Sequence, residues 1–146
     1  MSGLYEARTL LASTASTATG TGSQVDDLWQ LGGQHAHVAA LALVLDVTAA
    51  ATDAGDTLDV YVQTQLDGTN WADVARFTQV LGNGGAKRFF KKLSRGAAMT
   101  EFENATGLGA AAQRDLLGAQ WRVRWVITDA GTDDAAFTFS VIVTPM

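Results

Sequence analysis

Between Leu58 and Leu66 the side chains alternate in character. Leu58, Val60, Val62 and Leu66 fall on one face of an extended chain, and Asp59, Gln63 and Gln65 on the other. A period of two is the spacing of a strand with one buried face. Asp67-Gly68 follows, a pair with the positive-φ chemistry of a hairpin turn. Trp71 to Thr78 is the expected return strand, anchored by Trp71 and Phe77. The pattern recurs at Trp121, Val123, Trp125 and Ile127, with Arg122 and Arg124 on the opposite, outward face. It recurs again at Phe137, Phe139, Val141 and Val143. The turn-rich link from Ala130 to Asp134 predicts that these last two strands pair antiparallel.

His37 to Val47 is a further long strand, Glu6 to Ser13 and Asp26 to Leu31 are weaker ones, and Lys87 to Leu93 reads as a strand by context, although its Phe89, Phe90 and Leu93 also suit a short helix. Ser13 to Ser23 is almost entirely Ser, Thr, Ala and Gly, which predicts a loop or a weakly ordered extended arm. From Gly96 to Ala119 the alternation fails, leaving a long loop or, over Ala110 to Leu117, a turn or two of helix. The chain is therefore expected to be all-β, an antiparallel two-sheet sandwich of jelly-roll type with roughly eight strands. Its 146 residues suit one domain, with residues 1–23 forming an N-terminal strand and flexible arm and residues 24–146 a single β-sandwich domain.

Composition narrows the function. Fifteen acidic against ten basic residues give a net charge of −5, which disfavours a protein that coats nucleic acid. Absent cysteine excludes disulfides and thiolate zinc sites. The longest apolar run, Val38 to Leu45, is eight residues, against about 20 for a membrane helix. The start, Met1 to Glu6, lacks the cationic and apolar parts of a secretory signal, so a soluble product of a cytoplasm is expected and the sequon at Asn104 carries no weight.

No catalytic constellation emerges, and neither an enzyme activity nor a cofactor is expected. His35 and His37 share a strand face but lack a third ligand, so no metal site is expected there. Asp26-Asp27, Asp133-Asp134, and Asp53 with Asp56 read as solvated turn residues. Gly107 to Ala112 fits a dinucleotide-loop spacing but follows no convincing strand. The clearest chemistry is basic: Lys87, Arg88, Lys91, Lys92 and Arg95 hold half of the chain's basic residues. They read either as a patch for an acidic partner or as the guarded edge of a sheet. Of the four tryptophans, Trp121 and Trp125 fall on a core face, Trp71 is expected to pack, and Trp29 is the one best placed for exposure.

Several segments together resemble small β-sandwich virion proteins of tailed bacteriophages. They are TLDVYVQTQLDGTNWADVARF (Thr57 to Phe77), LLGAQWRVRWVIT (Leu116 to Thr128), FTFSVIV (Phe137 to Val143) and LLASTASTATGTGSQVD (Leu10 to Asp26). The chain departs from that pattern in the basic run Lys87 to Arg95 and in the connection Gly96 to Ala119. The resemblance implies a head decoration, or cement, protein: a homotrimer bound to the major capsid protein on the capsid exterior, made in the host cytoplasm. From charge and hydropathy, no nucleic acid and no membrane partner are expected. The expected contacts are Leu4, Tyr5, Arg8, Trp29, Lys87, Arg88, Lys91, Lys92, Arg95 and Phe102. The alternatives are a carbohydrate- or host-surface-binding module, or another virion part such as a tail or head–tail connector protein.

Overall fold

The computed structural model describes the chain apart from residues 1–5, 27, 29, 32, 33, 36, 37, 99, 100, 104–106 and 132, with the backbone alone at 30, 31, 34 and 35. Among the described residues twelve strands follow one another: β1 (Arg8–Ser16), β2 (Gly20–Thr21), β3 (Val25–Asp26), β4 (Gln30–Leu31), β5 (Gln34–His35), β6 (Ala40–Ala49), β7 (Thr57–Gln65), β8 (Trp71–Arg76), β9 (Val80–Leu81), β10 (Lys87–Ser94), β11 (Gln120–Thr128) and β12 (Phe137–Pro145). There is no helix among the described residues. Sheet A has the order β1-β12-β6-β10; sheet B has the order β2-β11-β7-β8, with β3 added to β11 and β9 to β7; β4 and β5 form a small separate ribbon. All pairings are antiparallel.

β2 and β3 lie along one side of β11, and β8 and β9 along one side of β7, so each couple occupies a single place. Eight places result. Numbered along the chain, they read 1-8-3-6 in sheet A and 2-7-4-5 in sheet B, which is the jelly-roll order. Among the connections between these places, only the β7–β8 hairpin stays within one sheet.

The pairing expected between the last two long strands does not form. β11 lies in sheet B beside β7, and β12 in sheet A between β1 and β6. The reason is burial. Each strand has one wholly apolar face, and side-by-side pairing would leave both faces to be covered by something else. Stacked in opposite sheets, they cover each other: Trp125 meets Phe139 edge to face, with ring centroids 5.5 Å apart at 76°. Around this contact, Leu41, Leu43, Leu45 and Val47 of β6 pack against Leu58, Val60 and Val62 of β7, all fully buried.

The Ser/Thr/Ala/Gly stretch, expected to be a loop or arm, is bonded into both sheets. Its start completes β1, and Gly20–Thr21 then pairs with β11. The chain crosses over Trp125, whose Nε1 donates to the Ala18 carbonyl at 2.9 Å. A Cβ on Gly20 would come within 2.8 Å of that indole. Small residues here are the consequence of passing close to a large ring.

β7 also departs from expectation. Asp59 and Gln63, assigned to a solvent face, are both 6% exposed, so the strand is covered on both sides; Leu66 lies beyond its end and is 58% exposed. Asp56, read as a solvated turn residue, is buried, and its Oδ1 accepts from the Ala130 amide at 2.9 Å. The hairpin turn itself forms as its residues predict. Gly68 has φ of 79°, and Asp67 Oδ1 accepts from the amides of Thr69 and Asn70 at 2.9 and 2.7 Å.

The connection after β10 forms no helix in its described part, despite three consecutive alanines. Arg76 N–H donates to the Ala112 carbonyl at 3.0 Å and Arg114 N–H to the Val74 carbonyl at 2.7 Å. Residues 112–114 thus extend sheet B beside β8, and tertiary pairing overrides helix propensity. Gly118 then passes so close to β7 that a Cβ would lie 2.0 Å from the Gln65 carbonyl oxygen.

Two outcomes follow. Gly118→Ala is expected to cost about 2 kcal/mol and lower Tm by roughly 4–8 °C in a thermal melt. The backbone amides, with the Asn70 side chain, hold the Asp67 carboxyl down from 3.8 to about 2. Its folded value is depressed, so its stabilising contribution is present above pH 3.8 and lost as pH falls toward 2. An NMR titration of the Asp67 carboxyl checks this directly.

Candidate functional site on the two outer faces

In β10, Leu93 is fully buried and Phe89 packs against the core, so positions 87, 89, 91 and 93 face inward. Arg88, Phe90 and Lys92 therefore face outward. Register carries this alternation across sheet A. Phe90 stands opposite Val44, and Val44 opposite Ile142. The result is an outward apolar row, and Phe90 at its end is 75% exposed. Each neighbouring row begins with a cation. Arg88 stands opposite Asp46, with Nη2 3.3 Å from Oδ2, and Lys92 stands opposite Ala42. With Lys87 at the start of the strand, cations flank an apolar strip on a chain of net charge −5.

β10 is the edge of sheet A, and among the described residues one half of that edge is closed by side chains. Residues 111–115 run along the seam between the sheets. Gln113 Nε2 donates to the Lys92 carbonyl at 2.8 Å, and the Ser94 amide donates to Asp115 Oδ1 at 2.7 Å. Two side chains thus substitute for a neighbouring strand. Lys91 Nζ donates to the Ala111 carbonyl at 2.8 Å. Burial pulls its pKa below the ordinary lysine value, and the charge of Asp115 opposes that shift. The half from Lys87 to Phe90 has none of these side-chain caps, and β6 is its strand partner among the described residues.

The expected contact residues separate accordingly. Arg88 and Lys92 lie on the outward face, Lys87 is exposed at the start of the strand with the inward parity, and Lys91 turns into the seam. Arg95 lies past the end of β10, lining a hollow of about 320 Å³ with Leu66, Asp115, Leu116 and Leu117. Arg8 opens β1, at the opposite edge of sheet A. Phe102 belongs to another surface, with the Arg114 guanidinium 3.8 Å from its ring centroid. Leu4, Tyr5, Trp29 and His37 lie outside the described residues, as does the side chain of His35. Phe90, Val44 and Ile142 escaped the sequence reading. One local clue existed: two adjacent phenylalanines in a strand cannot both face the core.

Sheet B presents a different outer face. Tyr61 stands in register between Arg124 and Arg76, whose guanidinium carbons lie 3.9 and 5.1 Å from its ring centroid. Asp59 accepts from Arg76 at 2.7 Å and from Gln79 at 2.9 Å. Asp73 accepts from Arg124 at 3.1 Å and from Gln63 at 2.8 Å. Arg122 Nε donates to Gln63 Oε1 at 2.6 Å, and its guanidinium lies 4.4 Å from the Trp71 ring centroid. The hydrogen bond to Asp59 raises the pKa of Arg76; burial and the charge of Arg124 lower that of Arg122. This network is what covers Asp59 and Gln63. Trp121 and Trp125 are buried in the core, as their spacing predicts.

Among the described residues, no three His, Cys, Asp or Glu side chains gather as a metal ion would require. No helix among them is long and apolar enough to cross a membrane.

Asp115→Ala is expected to cost about 1 kcal/mol and to speed hydrogen exchange of the Ser94 amide about fivefold, because that N–H loses its acceptor. Unchanged exchange would show that the edge is closed by other means.

Comparison of the chain with known protein families, with curated proteins and with solved structures finds no match.

Proposed function

We propose that this chain is a non-enzymatic virion protein that binds the outside of a bacteriophage capsid and stabilises it, as a decoration or cement protein. The observation that carries the reading is the outer face of sheet A. There Phe90, Val44 and Ile142 form an apolar row flanked by Arg88 and Lys92, with Lys87 exposed at the start of the strand. Burying Phe90 against a partner removes apolar area from water, and the flanking cations select an acidic surface and orient the encounter. Guard lysines on a sheet edge serve to prevent association. A phenylalanine left 75% exposed among them has the opposite effect.

The resemblance to small phage head proteins supplies the partner, the major capsid protein, and the homotrimer. The mechanism is adhesive. Each copy contributes modest contacts, and a trimer that engages neighbouring capsid subunits sums them through high effective concentration. The half-open edge of β10 adds a second mode of contact, because an extended segment of a capsid subunit can pair with Lys87 to Phe90 as an added strand.

Recombinant protein added to purified, undecorated shells tests this. Saturable binding to expanded shells, with raised heat resistance of the particle, is the expected result. Phe90→Asp and the double variant Lys87→Glu/Lys92→Glu are each expected to weaken binding on the order of tenfold while leaving the Tm of the free protein nearly unchanged. No binding to shells in either state would overturn the reading.

A further inference from the structure

At the tip of the β7–β8 hairpin, on the sheet B side, lies a cleft of about 460 Å³ lined by Leu66, Asp67, Asn70, Trp71, Ala72 and Phe102. Its size is that of a small-ligand site, typically about 300–1,000 Å³. Two rings from distant parts of the chain meet there. Trp71 opens β8, and Phe102 lies on the long connection after β10.

Both rings are held. Arg122 lies 4.4 Å from the Trp71 centroid and is itself fixed by Gln63 at 2.6 Å. With the Gln65 amide turned so that both its ends are satisfied, its oxygen accepts from Trp71 Nε1 at 3.1 Å. Arg114 lies 3.8 Å from the Phe102 centroid and donates to the Asp73 carbonyl at 3.4 Å. Aromatic walls fixed before binding lose little freedom on binding.

The rim is polar and equally fixed. Asp67 accepts from the Thr69 amide and from the backbone and side chain of Asn70. These bonds fix the orientation of the carboxylate at the rim. With a pKa held at about 2, this group is ionised at any physiological pH.

We propose that this cleft binds a neutral sugar ring. The chemistry selects that class by exclusion and by fit. A permanently charged carboxylate at the rim repels an anion. Guanidinium groups already stacked on both rings disfavour a cation. A pyranose presents an apolar face of C–H groups suited to aromatic walls and hydroxyl donors suited to a carboxylate and an amide. The tryptophan that would face the sugar here is Trp71; Trp29, which the sequence places best for exposure, lies outside the described residues. The cleft lies on the opposite sheet from the proposed docking face, so the two bindings are separable.

The test is an array of neutral and acidic bacterial oligosaccharides probed with the full chain, then an NMR titration of the free protein with the strongest neutral ligand. Saturable binding is expected, with shifts at the Trp71 indole and Asn70. Trp71→Ala and Phe102→Ala are each expected to weaken it at least tenfold, with Phe90→Asp unchanged. Should Trp71→Ala fail to fold, Phe102→Ala and the shift map carry the test. The proposal is overturned if no neutral glycan binds above background, if only acidic glycans bind, or if binding survives both cleft variants. No shell is present in this experiment, so its outcome is independent of capsid docking.

Discussion

The structure depends on two apolar sheet faces that can be buried only against each other. Trp125 stands at their junction. Its ring meets Phe139 of the facing sheet, and its indole N–H holds the strap that leaves β1 for β2. Once β11 and β12 are assigned to opposite sheets by this requirement, the β11–β12 connection must cross from one sheet to the other. The jelly-roll order then follows from alternating crossovers interrupted by one hairpin.

Because the inner faces are consumed by the core, the outer faces are where the chain differs from any other sandwich. They differ from each other as well. Sheet B is covered by a network in which Tyr61 carries two arginines, Trp71 and Phe102 carry one each, and Asp59 and Asp73 accept from two partners apiece. These mutual bonds make the network a frame for the cleft beside it. Sheet A is the reverse: its outer row is apolar and flanked by Arg88 and Lys92, and half its β10 edge lacks side-chain caps among the described residues. A rigid aromatic cleft suits a small ligand, and an apolar strip beside cations suits a protein surface.

The seam segment links the two faces. Residues 111–115 pair with β8 through backbone groups and with β10 through the side chains of Gln113 and Asp115. The same segment leads back through Arg114, which packs on Phe102. One stretch of irregular chain therefore closes a sheet edge and builds a wall of the cleft. This explains why a segment without alternation is nonetheless ordered by specific bonds.

Much of the fold was legible from period-two alternation, because the side a residue faces is a local property of an extended chain. That is why the core positions of β6, β7, β11 and β12, and the Asp67-Gly68 hairpin, could be read directly. The basic run was legible too, as were its two possible meanings. What sequence could not supply was partnership. Whether β12 pairs with β11 or stacks across from it depends on which apolar faces find each other over long separations. Whether Asp59 and Gln63 meet water depends on Arg76, Arg122 and Arg124 folding over them. Whether Ala110 to Ala112 turns into helix depends on an edge at β8 that offers stronger bonds. Phe90 became a surface feature only when register set it beside Val44 and Ile142. The sequence by itself determined the strands and their inward faces; the tertiary structure alone decided sheet membership and the character of the two outer faces, because pairing and burial are set by residues distant along the chain.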